Sequence, residues 1–201
     1  MRLPRKGESG FTMLEMLISL AVLSMAMSGL ASLLVQNSRI NKQQQMTAEV
    51  QANARNCLSL LVQRMRSAGW NPSNDISVGT LTLDADLSDD DSEIEIFADL
   101  TADGDTDEAD EQVFIRHDAS AGAIVWRRDN DVLTPFNTVA VNISNDANGD
   151  GTIEPMFTPD SVTAPTMVTI QVTAVSPVPD PISGDLIRYT VSSDVVLRKN
   201  I

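Results

Sequence analysis

The chain has 201 residues and a net charge of −14, enough length for one domain plus an extended element. The charge is divided: residues 1–70 hold eight Lys/Arg against three Asp/Glu, whereas residues 71–201 hold six against 25. Such an acidic globular part lacks the clustered Lys/Arg that phosphate binding needs, which sets nucleic acid aside, and the single cysteine, Cys57, excludes an intramolecular disulfide.

Residues 1–10 form a basic leader with Arg2, Arg5 and Lys6, ending at Gly10. Phe11-Thr12-Met13-Leu14-Glu15-Met16-Leu17-Ile18 follows, and from Met16 to Ser38 there is no charged residue. A helix of about 20 apolar residues crosses a bilayer core, and the basic leader places its own end in the cytoplasm. A secretory signal peptide has a shorter apolar run with a small-residue cleavage site. Here Ala26, Ser28, Gly29 and Ala31 serve equally as helix-packing residues. A plain single-pass anchor fits the length but gives no reason for Glu15, a carboxylate that is costly at the embedded end unless paired. Cleavage between Gly10 and Phe11 supplies a partner, because the new α-amino group lies four residues before Glu15.

These residues, Gly10 through Ile18, resemble the prepilin-type cleavage and methylation segment of type IV pilins and type II secretion pseudopilins. The resemblance covers about the first 30 residues. It implies that a prepilin peptidase cuts after Gly10 and N-methylates Phe11. It also implies that Glu15 registers one subunit against another.

Beyond the apolar run the pattern turns amphipathic, with Ile40, Val50, Ala54, Leu58, Leu61, Met65 and Ala68 recurring mostly at intervals of three and four. The same spacing makes Cys57 a small buried hydrophobe rather than a reactive thiol. Gly69-Trp70-Asn71-Pro72 predicts the stop. One helix over residues 11–68 would reach about 87 Å at about 1.5 Å per residue, too long for a compact domain of this size. The stretch Leu60–Pro72, with Arg64, Arg66, Ala68, Gly69 and Trp70, resembles the helix end of PilW-like minor pilins.

After residue 72 short alternating runs predict strands at Val78–Leu83, Glu93–Phe97, Gln112–Arg116, Ala123–Arg127, Thr138–Ile143, Met167–Ala174 and Leu186–Leu197. The expected fold is α+β: a long N-terminal helix packed on a C-terminal antiparallel sheet. The expected divisions are a leader at 1–10, a transmembrane and assembly helix at 11–36, the amphipathic half of that helix at 37–70 and an acidic β-rich head at 71–201. The pilin resemblance implies the same plan.

Two acidic loops interrupt the strands. In the first, oxygen-bearing side chains fall at Asp99, Thr101, Asp103, Asp105, Asp107 and Asp110, with Gly104 at the sixth position. Alternate oxygens around a glycine bend are the pattern of a calcium loop, here between strands instead of helices. Asp110 stands where a longer Glu gives bidentate closure. The plainer alternative is a solvated acidic turn, but seven acids between Asp99 and Glu111 with no Lys/Arg repel one another, which favours a cation. The second loop, Asp146, Asn148, Asp150, Thr152 and Glu154, has the opening half of the pattern and Phe157 at its closing position, with Glu154 or Asp160 as substitutes. An Asn/Asp/Gly-rich turn explains it equally well.

Enzyme signals are missing: no phosphate-binding Gly-Lys-Ser/Thr loop, no zinc ligand set and no nucleophile elbow. His117, the only histidine, falls in a predicted strand, and Trp70 and Trp126 read as core or interface residues. The expectation is a minor, PilW-like type IV pilin subunit, not an enzyme, that uses calcium. Its expected partners are prepilin peptidase, other pilin or pseudopilin subunits, the inner-membrane assembly platform, and the membrane before assembly. The N-terminus is expected in the cytoplasm and the head in the periplasm, with later transfer to a pilus at the cell surface. The alternatives are a J-type pseudopilin of a type II secretion system and a membrane-anchored calcium-dependent adhesin or sensor that never polymerises.

Overall fold

The computed structural model describes residues 11–72, 81–83, 93–107, 111–128, 135–161 and 165–197. They divide into two compact units, Met1–Gln44 and Gln45–Ile201. Helix α1, Met13–Met65, supplies the ordered part of the first unit and the start of the second. It begins and ends two to three residues inside the expected limits.

In the first unit the apolar side chains of α1 face outward. Leu14, Leu17, Leu20, Leu23, Leu30 and Leu34 are all exposed. Burial of each such side chain yields about 1.5–3 kcal/mol, so this stretch demands lipid or other helices. It is the one helix among the described residues long and apolar enough to cross a membrane. Its serines suit that setting. Ser24, Ser28 and Ser32 donate their hydroxyls to the carbonyls of Ala21, Met25 and Gly29, so no hydroxyl hydrogen is left unbonded in an apolar medium.

In the second unit the helix face with Val50, Ala54, Cys57, Leu58, Leu61 and Met65 is buried. It joins Ile94, Ile115, Ile124, Ile143, Val168, Ile170 and Val172 in one core. Leu61 is fully enclosed, and truncation of such a side chain to alanine typically costs about 2–5 kcal/mol. Burial pushes the Cys57 thiol up to about 12, which keeps it protonated and inert, as its spacing predicted. The helix closes at Gly69, whose φ of 70° is left-handed. There the Gly69 N–H donates to Phe97 O and Trp70 O accepts from Asp99 N–H, so the helix end is stitched to the sheet.

Strands β1 (Leu81–Leu83), β2 (Glu93–Phe97), β3 (Gln112–Asp118), β4 (Ala123–Arg128) and β5 (Asn137–Val141) form an antiparallel five-stranded sheet in sequence order. Strands β6 (Phe157–Pro159), β7 (Met167–Val175) and β8 (Arg188–Val196) form a second antiparallel sheet. The fold is therefore α+β as expected, with two sheets where one was expected. The break lies at Asn142 and Asn145, both at left-handed φ, with a single bridge from Ile143 to Ala174 joining the sheets. Residues 78–80 of the first expected strand lie outside the described residues.

His117 is buried in β3, and its Nε2 lies 3.1 Å from Ile143 O. A carbonyl only accepts, so Nε2 carries the proton and holds the two sheets together at their junction. Trp126 is half-buried with the guanidinium groups of Arg64 and Arg128 each 4.7 Å from its ring, which ties α1 to β4.

Candidate assembly segment and acidic loops

Phe11 opens the described chain and is 77% exposed. Gly10 and the rest of the leader lie outside the described residues. Thr12 and Glu15 form a reciprocal cap on the first turn of α1. Glu15 Oε2 accepts from the Thr12 N–H and from its hydroxyl, both at 3.0 Å, and the Glu15 N–H donates to Thr12 Oγ1 at 3.2 Å. In a Thr-x-x-Glu capping box, each side chain satisfies a backbone donor that the first helical turn leaves over. The carboxylate thus has partners within its own chain before any amine is released. Sequence reasoning weighed Glu15 for its charge alone, although the Thr12-to-Glu15 spacing carried the signal.

The first acidic loop joins β2 to β3. Buried Asp99 accepts from the N–H groups of Ala102 at 2.6 Å and Gly104 at 3.2 Å. Ala102 and Gly104 both have left-handed φ, which winds the loop tightly around that carboxylate. Asp103 accepts from the Asp105 N–H, and Asp105 from the Asp107 N–H. Hydrogen bonding to the Asp107 carboxyl raises Asp105 above the ordinary carboxylate range, and repulsion by Asp103 and Asp107 adds to this.

From the far side comes Glu111, which is 1% exposed. Its Oε1 accepts from Leu100 N–H, Thr101 N–H and the Thr101 hydroxyl. One oxygen each from Asp103, Asp105 and Glu111 lies within 4.8 Å of the others. Of the six residues expected to bind calcium, the structure thus brings Asp103 and Asp105 together. Thr101 is bonded to Glu111, Asp99 faces the loop's own amides, Asp107 meets Asp105, and Asp110 lies outside the described residues. Glu111 was not among the expected ligands. Strand parity carried the signal: Val113, Ile115 and His117 all point inward, and Glu111 shares their phase. Three carboxylates so placed offer hard oxygen ligands that suit a calcium-sized cation.

The second loop repeats the first in its backbone. Asp146 accepts from Gly149 N–H at 2.6 Å and Gly151 N–H at 3.2 Å, the same third and fifth positions onward. Asn148 accepts from the Asp150 N–H, Asp150 from the Thr152 N–H, and Glu154 from the Ala147 N–H. The Thr152 amide holds the Asp150 carboxyl below its usual range. A cation is already present here. The Arg188 guanidinium lies 3.9 Å from Asp146, and a Cβ placed on Gly149 would come within 2.8 Å of it. Glycine suits the left-handed φ of 80° there, and a Cβ at this position would displace the Arg188 guanidinium. Phe157 is a core residue of β6, and Asp160 caps the turn at Thr166 and Met167, so neither closes the loop.

Comparison with known families matches residues 5–31 to the prokaryotic N-terminal methylation motif. Comparisons with curated proteins and with solved structures gave no match. The matched segment contains Gly10, Phe11, Thr12 and Glu15 and runs into the exposed apolar part of α1. The motif supports a type IV pilin-like protein and implies processing by prepilin peptidase and assembly with other pilins, and the one long apolar helix among the described residues fits a membrane anchor.

Proposed function

We propose that the chain is a minor, PilW-like type IV pilin subunit that is cut after Gly10, methylated on Phe11 and assembled into or near the tip of a pilus. The observation that carries this reading is the continuity of the methylation motif with the apolar N-terminal stretch of α1, whose side chains are exposed among the described residues. Arg2, Arg5 and Lys6 favour a cytoplasmic N-terminus, which puts the acidic head in the periplasm. Once the leader is removed, the free amine of Phe11 on this subunit or the next meets Glu15 among packed helices, where an unpaired carboxylate would be expensive. Replacement of Glu15 by alanine should abolish surface display while insertion and cleavage proceed. Unchanged display of the variant would favour an anchor that never polymerises.

The first acidic loop is the proposed calcium site, with Asp103, Asp105 and Glu111 as ligands. Backbone bonds to the exposed carboxylates of Asp103 and Asp105 leave further lone pairs there for a metal. Bound calcium would neutralise the mutual repulsion of the loop and fix the β2–β3 connection. The second loop is served by Arg188 in place of a metal. Melting of the full chain in detergent, with calcium and with a chelator, tests the site, because a ligand held only by the folded state raises the transition. An unchanged transition would remove it.

A further inference from the structure

Strand β8 ends the three-stranded sheet and pairs only with β7 among the described residues. The ladder bonds fix which backbone groups are left over. Leu197 N–H donates to Thr166 O and Ser176 N–H donates to Ile187 O, so the odd-numbered residues of β8 face β7. Arg188, Thr190, Ser192, Asp194 and Val196 therefore turn their N–H and C=O groups outward. This nine-residue edge contains no proline and no bulge, the usual devices that blunt an edge.

A cavity of about 600 Å³ opens between β8 and the outer face of α1. Its floor is Leu58 and Val62, Ser193 forms the strand side, and Arg55 and Arg66 are exposed at opposite ends. Arg55 is braced by the Tyr189 hydroxyl at 3.2 Å, and neither arginine meets a carboxylate among the described residues. Arg66 follows the last residue of α1 and its N–H still bonds Val62 O, so eleven positions separate the two arginines, about 16 Å at about 1.5 Å per residue. Residues four apart on one face of an extended chain lie about 13 Å apart, and the long arginine and glutamate side chains bridge the remainder. Positive charge here is distinctive, because residues 71–201 carry 25 acids against six bases. Asp194 does not oppose it: its carboxylate lies on the other face of the sheet, bonded to the Thr169 hydroxyl.

We propose that this edge and groove receive an extended acidic segment of a partner protein, added as a strand beside β8. Its backbone pairs with Thr190, Ser192 and Asp194. Carboxylates on its helix-facing side meet Arg55 and Arg66, and an apolar side chain between them covers Leu58 and Val62. Main-chain bonds supply the affinity and the paired charges set the register. The inference is independent of the pilin reading and of the calcium loop.

The test uses the full chain in detergent with a fluorescent nine-residue peptide in which two glutamates four positions apart flank a valine on one face and serines fill the other positions, and a second peptide with lysine in place of glutamate. Anisotropy should detect the acidic peptide and not the basic one. The double substitution Arg55→Glu, Arg66→Glu should weaken binding about tenfold or more, as reversal of two contacting charges does. Ser192→Pro removes one outward N–H without touching the bonds to β7 and should weaken binding to a similar degree. Hydrogen exchange of the unsubstituted chain supplies a readout that does not depend on either variant folding: the amides of Thr190, Ser192 and Asp194 should gain protection when the acidic peptide is added. Equal binding of both peptides, no change in these amides, or binding that survives either variant would overturn the proposal. So would concentration-dependent self-association abolished by Ser192→Pro, which would make a second copy the occupant.

Discussion

Partial burial on the outer face of the five-stranded sheet pushes the Glu95 carboxyl up, Glu93 beside it adds to the rise, and Arg127 offsets only part. A folded-state pKa above the unfolded one means that the protonated form is favoured by folding. The stabilisation is complete below the unfolded value and is lost as pH rises through the folded one. At pH 7 the ionised side chain therefore opposes folding. Glu95→Gln should melt higher than the parent at pH 7, with the advantage fading as pH falls to about 4, where carboxylates protonate. An offset that is the same at both pH values would contradict this cause. Thr12 is a second case. Its side chain and amide hold Glu15, so Thr12→Val should fray the first turn of α1, and a loss of a capping side chain of this kind costs about 0.5–2 kcal/mol of helix stability. Solid-state NMR shifts of Met13 and Leu14 in bilayers would report the change, and unaltered helical shifts would argue against the cap.

Among the elements, the two acidic loops share one backbone and differ in how their charge is balanced. The first gathers Asp103, Asp105 and Glu111, and the second holds Arg188 against Asp146. Calcium held at the proposed first-loop site at about 100 times its dissociation constant would contribute about 2.7 kcal/mol, which corresponds to a rise of about 5–10 °C in melting temperature for a domain of this size. The double substitution Asp103→Asn, Glu111→Gln should remove that rise, whereas Asp146→Asn should leave it intact. Arg188→Gln should lower the melting temperature in chelator by leaving Asp146 without its cation. A calcium response that followed Asp146 and ignored Glu111 would reverse the assignment of the two loops.

Alternating strands such as β2, β3 and β7 were legible because one face is buried and the other wet. Strand β6 was not, because three residues that include Pro159 carry too little pattern, and their place at a sheet edge is set by tertiary pairing with β7. The division into two sheets was equally hidden. It depends on left-handed Asn142 and Asn145, and nothing local distinguishes such asparagines from those of an ordinary turn. Within the first loop the six-residue ligand pattern followed sequence spacing, whereas the structure groups Asp103 and Asp105 with Glu111, whose inward phase continues into β3.

For the whole molecule, the contrast between an apolar, basic beginning and an acidic head orders the account. Residues 1–70 carry a surplus of positive charge and the exposed apolar stretch of α1, and residues 71–201 carry the acids. Thr12 satisfies Glu15, and on the proposed reading lipid would accommodate the apolar stretch before cleavage. On the proposed reading, cleavage would make the amine of Phe11 available to the same carboxylate, and helices of neighbouring subunits would replace the lipid. Every later step depends on the bond behind residue 10. Intact-mass and N-terminal fragment spectra of the chain recovered from membranes of its own cells test this directly. The account predicts a product that begins at Phe11 and carries one added methyl group on its α-amine. A chain that keeps residues 1–10, or is trimmed at another bond, would contradict it.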